Sequence, residues 1–257
     1  MSLPLGDFSG LADAYARFRP DYSHSVVLAT LALLDRPIEE VQAVDVGAGT
    51  GIFTAMLADF GVRRITAIEP NDDMRRVGKA QSISTPVTWL TGRAEETGLP
   101  DATYDWVSMA SSFHWADFDA AVNEFNRILK PGGRFVCLWN PRHIQDNPML
   151  EEIEAFLYSL KPGLQRKSSG KGGITEGLSE RLQSCGFFDD VVFLEGPHTI
   201  EMSPERYVGV WKSVNDVRAQ LGESEFKKFL SFVEEKTAKS GTISCSYLTR
   251  AWSARKQ

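Results

Sequence analysis

A glycine-rich stretch at residues 44–51 (VDVGAGTG) constrains the fold of this chain more than any other segment. It overlaps an apolar run with β-branched residues at 41–46 and precedes residues 52–58, whose apolar positions have helical spacing. This order predicts a strand, a tight turn and the start of a helix. Glycines let a ligand approach bare backbone, and a helix N-terminus offers unpaired N–H groups. The stretch therefore predicts a cradle for a small ligand, with a purely structural turn as the alternative.

The spacing of these glycines indicates which class of ligand the turn can bind. A dinucleotide fingerprint reads G-x-G-x-x-G, and its third glycine lets the helix pack closely on the strand. Here the glycines stand at 47, 49 and 51, and Ile52 occupies the position of that third glycine. Asp45, an acid just before the turn, suits a ligand with positive charge better than it suits a pyrophosphate. The pattern therefore disfavours a nicotinamide dinucleotide.

The first half of the chain alternates predicted strands and helices. A short helix that opens the segment 8–22 and is stopped by Pro20, and a second helix at 23–34, come first. Strands follow at 41–46, 65–69, 87–90, 104–110 and 134–139, with helices at 52–58, from the turn at 70–71 to residue 79, and at 118–129 between them. We expect Lys-Pro-Gly-Gly at 130–133 to end the last of these helices. Such alternation predicts right-handed crossovers and a parallel sheet, with ligands beyond the carboxyl ends of its strands.

Several polar positions follow those strand ends. Glu69 closes the second strand, where a nucleotide site accepts hydrogen bonds from ribose hydroxyls; a solvated surface carboxylate is the alternative. Asp45, Glu69, Ala94 and the loop at 109–115 are expected to meet at one edge of the sheet. This convergence indicates a ligand site more strongly than any one motif.

The second half predicts helices at 149–160, 175–185, 204–221 and 223–239, and strands at 190–202 and 243–252. The basic stretch rich in glycine and serine at 166–173 predicts a solvated loop or a lid. No phosphate-loop pattern passes through Lys171.

Composition narrows the choice of partners. The formal net charge of −6 disfavours general nucleic-acid binding, and no apolar run is long enough to span a membrane. Three scattered cysteines and four scattered histidines suggest neither a disulfide framework nor a metal site. No signal peptide is apparent. We therefore predict a cytoplasmic monomer or homodimer with no metal, no nucleic-acid partner and no membrane partner.

Six segments occur in the order and at the separations of one known family: YARFRPDY at 15–22, VDVGAGTG at 44–51, IEPNDDM at 68–74, GRAEETGLP at 92–100, SSFHW at 111–115 and ILKPGGRF at 128–135. With them the chain resembles class I S-adenosylmethionine-dependent methyltransferases of the methyltransferase type 11 kind, and is similar to trans-aconitate methyltransferase-like small-molecule methyltransferases. The resemblance implies an α/β fold: a Rossmann-like, doubly wound, mostly parallel seven-stranded sheet with an antiparallel last strand and a helical cap. It implies one domain over 1–257, with closing helices at 1–40, a cofactor core at 41–139, and cap insertions plus closing strands at 140–257.

The resemblance also implies a cofactor, S-adenosyl-L-methionine, with S-adenosyl-L-homocysteine as its product. Its glycine loop would hold the methionine and ribose region, and Glu69 the ribose. Arg19 would pair with the cofactor carboxylate, unless it pairs with a surface acid while Tyr15 packs in the core. The implied cofactor positions are Tyr15, Arg19, Asp45, Gly47, Ala48, Gly49, Thr50, Gly51, Glu69, Pro70, Asn71, Met74, Arg93, Ala94, Glu95, Ala110, Ser111, His114 and Trp115.

His114 falls beside the transferable methyl in this arrangement. It is a candidate general base or a contact to cofactor or acceptor, and a histidine bonded to backbone between packed aromatics is the alternative. Candidates for the acceptor pocket are Trp139, Arg142, His143, Tyr207 and Trp211. An aromatic pair four residues apart on a helix also fits a helix core.

The sequence therefore predicts methyl transfer to an O, N or C nucleophile of a small molecule. A non-catalytic protein that binds S-adenosylmethionine, an NAD-dependent oxidoreductase on a similar sheet, and a macromolecular acceptor are the alternatives. The absence of an N/D-P-P-Y motif and the negative charge favour a small acceptor.

Overall fold

The computed structural model describes residues 10–82, 86–145, 147–166, 173 and 175–257. Its strands are β1 Gln42–Val46, β2 Arg64–Ile68, β3 Val87–Leu90, β4 Tyr104–Ala110, β5 Leu129–Trp139, β6 Arg142–His143, β7 Phe188–Met202 and β8 Ile243–Lys256. Its α-helices are α1 Ala12–Phe18, α2 His24–Leu31, α3 Ile52–Asp59, α4 Asp72–Gln81, α5 Phe118–Ile128, α6 Pro148–Leu160, α7 Leu178–Ser184, α8 Pro204–Lys212 and α9 Asn215–Thr237.

The strands form one mixed sheet in the order β3-β2-β1-β4-β5-β8-β6, and β7 pairs with β8 as well. Strands β1 to β5 pair in parallel, whereas β8 runs antiparallel to β5, β6 and β7. The predicted Rossmann-like fold class with an antiparallel last strand is therefore confirmed. Eight strands are seen in the described ranges where the sequence predicts seven, because the two-residue β6 pairs with β8 beyond the end of β5.

Most predicted elements are present with ends shifted by a few residues, and three larger differences stand out. Strand β5 begins at Leu129, because that residue ends α5 in an extended conformation and pairs with Tyr104 of β4. The first of the two predicted cap helices ends early, at Lys212. The predicted break between those helices appears as Gly222, which has φ 74° and ψ 166° inside α9.

Two predicted segments fall partly outside the described residues: positions 8 and 9 of the first helix, and positions 167–172 and 174 around the basic stretch. The division into closing helices, core and cap stays a prediction. Among the helices that the structure describes, none is long and apolar enough to cross a membrane.

Apolar side chains cover both faces of the sheet. On one face, residues of α2 and α3 such as Leu31 and Leu57 pack with Trp106. On the other face, residues of α5 and α7 such as Phe125 and Leu182 pack with Phe135. A separate cluster joins α6, α8 and α9 to the first half of β8. Helices α6, α8 and α9 thus form a core of their own next to the two that cover the sheet.

Helix α1 lies between α4 and α8. Ala12 packs with Met74 and Val77 of α4. At the other end of the helix, Phe18 lies against Gly209 of α8, where a Cβ atom would stand 2.3 Å from the Phe18 ring. Because glycine has no side chain, α1 can approach α8 closely at this point.

We expect Gly209→Ala to lower the free energy of unfolding by roughly 1–2 kcal/mol, because the new methyl group overlaps the Phe18 ring. Denaturant unfolding of the purified variant measures the change. Gly241→Ala is the matched control, since a Cβ there meets nothing within 4 Å. Equal stability of the two variants would show that α1 does not depend on this contact.

Candidate functional site

A cavity of about 490 Å³ lies at the carboxyl ends of the parallel strands, between the sheet edge, α1 and the cap. All predicted cofactor positions except Gly51 and His114 lie in its wall, as does one predicted acceptor position, Arg142. Pockets of this volume are typical of small-molecule sites. Contact of these residues with a cofactor stays a prediction.

The glycine loop forms the floor of the cavity. Gly47 has φ 65°, and a Cβ there would stand 2.8 Å from Cβ of Ser112, so both conformation and space require glycine. Gly51 has φ 83° and begins α3, but it faces away from the cavity, since a Cβ atom at this position would stand 3.1 Å from the Trp89 ring. Gly51 therefore serves close packing behind the loop, which is why it is absent from the described cavity wall.

Glu69 connects two loops of the cavity wall. Its Oε2 accepts a hydrogen bond from the backbone N–H of Gly49, and its Oε1 accepts one from the N–H of Asn71, both at 2.8 Å. Burial raises the pKa of Glu69, and the two N–H groups together with the charge of Arg75 oppose that shift. Each carboxylate oxygen keeps a further lone pair that can accept from a ligand hydroxyl.

Asp45 is a fully buried acid under the glycine loop. Its Oδ2 accepts a hydrogen bond from the Thr54 hydroxyl at 2.7 Å, and its Oδ1 accepts one from the Ser108 hydroxyl at 2.9 Å. Burial raises the pKa of Asp45 to about 6, although both hydroxyl hydrogen bonds lower it. The nearby charge of Glu69 raises this pKa further. Burial therefore opposes the ionisation of both acids, Asp45 and Glu69.

Thr50 offers a buried hydroxyl in the same wall. The residue is 1% exposed, lines the cavity, and its Oγ1 has no hydrogen-bond partner among the described residues. An unsatisfied buried hydroxyl costs about 1–3 kcal/mol. A polar ligand atom in the cavity would satisfy this group.

Residues at and just after α1 close one side of the cavity. Arg19 donates from Nε to Ser213 Oγ at 2.8 Å and from Nη2 to the Ser213 carbonyl at 3.2 Å. Its guanidinium lies 4.8 Å from the centroid of the Tyr15 ring. Arg19 therefore ties this segment to the end of α8, while both residues still line the cavity.

Tyr22 is a wall residue that the sequence did not single out. Its hydroxyl donates to Ser111 Oγ at 2.8 Å, and Ser111 has the uncommon φ of 53°. Burial raises the pKa of Tyr22 well above its usual range, so the phenol remains protonated. The pair fixes the loop that follows β4 against the chain that follows α1.

Glu95 is a wall residue that the start of α5 holds in place. Its Oε1 accepts a hydrogen bond at 2.8 Å from the backbone N–H of Asp117, the residue that caps α5. Its neighbours Arg93 and Ala94 line the same wall. The three predicted adenine-side residues are therefore brought together.

His114 lies behind the cavity wall rather than in it. Its Nδ1 accepts a hydrogen bond at 3.2 Å from the indole N–H of Trp139, because an indole can only donate. Its ring lies 4.6 Å from that of Trp115, which does line the cavity. The structure thus places His114 between two tryptophans, and its role as a base or contact stays a prediction.

Four predicted acceptor residues also lie outside the described part of the cavity wall: Trp139, His143, Tyr207 and Trp211. Trp139 is buried in the sheet core against Trp252. Tyr207 and Trp211 face the cap core, where the Trp211 ring packs edge-on at 4.7 Å from Phe229. His143 is exposed. The packing of α8 on α9 explains why its two aromatics turn inward.

The wall also contains residues that the sequence did not single out: Pro20, Tyr22, Ile52, Phe53, Ala116, Asn140, Arg166, Val210, Val214 and Tyr247. Met109 and Ser112 line it as well and belong to the loop at 109–115, which was expected at this edge of the sheet. Asn140 directly follows β5, so the strand-end rule could have found it. Arg166, Val210 and Tyr247 come from the cap and β8, and only the tertiary arrangement brings them to the cavity.

Residues 44–137 match a family profile described as a methyltransferase domain. An uncharacterized methyltransferase of Mycobacterium bovis is 37% identical over 142 residues, which cover 55% of this chain and 54% of that protein. A ubiquinone/menaquinone biosynthesis C-methyltransferase of Rubrivivax gelatinosus is 40% identical over 96 residues, 37% of this chain and 38% of that protein. The aligned part of this chain thus spans about half the length, or less, of these relatives.

Solved structures share the fold over nearly the whole chain. A protein of Anaeromyxobacter dehalogenans, solved as a candidate type II methyltransferase, superposes with a TM-score of 0.64 at 21% identity. The alignment covers 93% of this chain and 98% of that one. Phosphoethanolamine N-methyltransferase 2 of Haemonchus contortus, in complex with S-adenosyl-L-methionine, gives a TM-score of 0.54 at 15% identity over 97% of this chain and 57% of its own.

Proposed function

We propose that this chain transfers a methyl group from S-adenosylmethionine to a small molecule, because residues 44–137 match the profile of a methyltransferase domain, in agreement with the sequence motifs. The nucleophile on the acceptor is an O, N or C atom. One observation carries the proposal: a single cavity wall joins Asp45, the glycine loop and Glu69 with the residues at 93–95.

The residues present fit the proposed cofactor. Glu69 would hold the ribose hydroxyls with its remaining lone pairs, and the residues at 93–95 would surround the adenine. The Thr50 hydroxyl, which has no hydrogen-bond partner within the described ranges, would bond to a polar atom of the ligand. Arg19 would turn from Ser213 to the cofactor carboxylate, or share its five donors between the two.

When bound, the cofactor supplies a methyl carbon made electrophilic by a sulfonium. The chain itself aligns the acceptor and excludes water, the two contributions expected of a protein in such a displacement. Tyr15 and Arg19 cover the cavity on one side, and Trp115 on another. No covalent step on the protein is required.

The acceptor atom is left open because the relatives differ. One is named for C-methylation in ubiquinone and menaquinone biosynthesis, and a structural neighbour for N-methylation of phosphoethanolamine. The cavity wall on the cap side comes from residues beyond 139, outside the segment that matches the family. The part of this chain outside the family profile therefore determines which acceptor is bound.

Isothermal titration calorimetry with S-adenosylhomocysteine, S-adenosylmethionine and NAD⁺ tests the proposal. We expect saturable binding of the first two and none of NAD⁺. Incubation with methyl-labelled cofactor and a panel of small O, N and C nucleophiles then tests turnover, read as labelled product. Folded protein that binds neither adenosyl compound, or that binds NAD⁺ instead, would refute the proposal. Binding without transfer to any acceptor would favour the non-catalytic alternative.

A further inference from the structure

Two arginine side chains form the cap side of the cavity. Arg142 lies on β6 and Arg166 follows α6; both line the cavity, with side chains 12% and 9% exposed. Arg142 stacks 3.9 Å from the centroid of the Trp211 ring, and Arg166 lies 5.3 Å from the same ring. The buried indole thus holds two cationic groups close together.

Acidic residues compensate this charge from outside the cavity. Glu154 of α6 lies 3.6 Å from Nη2 of Arg142 and 2.8 Å from Nη1 of Arg166. Asp216 also acts electrostatically on Arg166. Neither acid is part of the described cavity wall. The surface that a ligand would meet here therefore presents guanidinium groups, with the carboxylates behind them.

Two polar groups of this surface have no hydrogen-bond partner among the residues that the structure describes. They are Nη1 of Arg142 and the hydroxyl of Tyr247, both buried. Arg142 and Tyr247 are directly paired across β6 and β8, so their side chains leave the same face of the sheet. Tyr247 is 3% exposed, and burial raises the pKa of its hydroxyl. Both groups are therefore available as donors to a ligand.

We propose that Arg142, Arg166 and Tyr247, here called the arginine wall, bind an oxyanion group of the methyl acceptor, a carboxylate or a phosphate. The proposal rests on the proposed function, since it names the class of acceptor. A guanidinium fork and a phenol donate together to two oxygens of such a group, and charge-assisted hydrogen bonds of this kind are the strong ones. A neutral acceptor would leave charged donors in this buried surface incompletely paired. A cationic acceptor would be repelled by the two guanidinium groups.

The test uses the full chain saturated with S-adenosylhomocysteine and calorimetric titration of small probes. The oxyanion probes are acetate, succinate, inorganic phosphate and phenyl phosphate; the uncharged controls are acetamide and succinamide. We expect saturable binding of at least one oxyanion probe and none of the amides. Comparing the carboxylate probes with the phosphate probes shows which kind of oxyanion the arginine wall binds. Equal binding of acids and amides, or binding of no oxyanion probe, would overturn the proposal.

Variants locate the binding. Arg142→Met should weaken the oxyanion probe at least tenfold, and Tyr247→Phe, which removes one hydroxyl, should weaken it by a smaller factor. Both should keep the affinity for S-adenosylhomocysteine within about twofold. Arg218→Met is the matched control, because Arg218 pairs with Glu223 on the surface of α9 and does not belong to the arginine wall. Unchanged probe affinity in both Arg142→Met and Tyr247→Phe would exclude the arginine wall.

Failure of the two proposals can be distinguished. If S-adenosylhomocysteine does not bind, the proposed function fails, and the same probes are titrated into the unliganded chain. If S-adenosylhomocysteine binds but the oxyanion probes do not, only the arginine wall fails.

Discussion

Glu69→Ala is expected to weaken S-adenosylhomocysteine binding by roughly 1.5–3 kcal/mol, about tenfold to 150-fold, in calorimetric titrations. Two effects act in the same direction. The variant loses the proposed charge-assisted acceptors for the ribose. It also leaves the N–H groups of Gly49 and Asn71 without the carboxylate that now connects their loops.

Two further variants separate these effects. Glu69→Gln keeps the size of the side chain and one acceptor oxygen, so a smaller loss is expected. Glu39→Ala removes an exposed acid just before β1 and controls for the change in net charge. Affinity equal to that of the wild type in Glu69→Ala would reject the ribose role. A loss of thermal stability with no loss of affinity would leave Glu69 only the task of joining the loops.

Asp45→Asn is expected to flatten the dependence of stability on pH between about 4 and 6. The pKa of Asp45 rises from 3.8 to about 6 on folding. Between these values the folded state binds more protons than the unfolded state, so raising the pH favours unfolding. A shift of about two pKa units corresponds to roughly 3 kcal/mol of stability that is present at low pH and lost as pH rises through 6.

Denaturant unfolding at a series of pH values measures this effect as the difference between wild type and Asp45→Asn. Asparagine keeps the shape of the side chain and an acceptor for one of the hydroxyls of Thr54 and Ser108. Glu39→Gln shows the contribution of an exposed carboxylate under the same conditions. Parallel stability curves for wild type and Asp45→Asn would show that burial does not shift this carboxyl.

The half of the cavity that we propose for the cofactor was predictable because its residues follow local rules. A glycine turn after a strand, an acid at the end of the next strand and a parallel sheet together place Asp45, Gly47 and Glu69 at one edge. Each rule involves only a few neighbouring residues, so the sequence of this one chain is enough to apply it. The structure brings these positions into one wall, as expected.

The cap side was not predictable in this way. Tyr207 and Trp211 have the spacing of one helix face, which fits a pocket wall and a core equally well; the packing of α9 decides for the core. Arg166 and Tyr247 reach the cavity from segments about 80 residues apart in the sequence. Gly51 and His114 lie within matched motifs, yet contacts with Trp89 and Trp139 hold them behind the wall.

The position of β8 has a consequence for how the chain assembles during translation. β8 pairs with β5 on one side and along most of β7 on the other, and it is synthesised after both of them. The parallel strands that carry the glycine turn and Glu69 can associate while residues 243–256 are still being synthesised. β7 can join the sheet only through β8, and Tyr247 reaches the cavity only when β8 itself has been synthesised. A nascent chain can thus form the proposed cofactor cradle before the proposed surface for the acceptor.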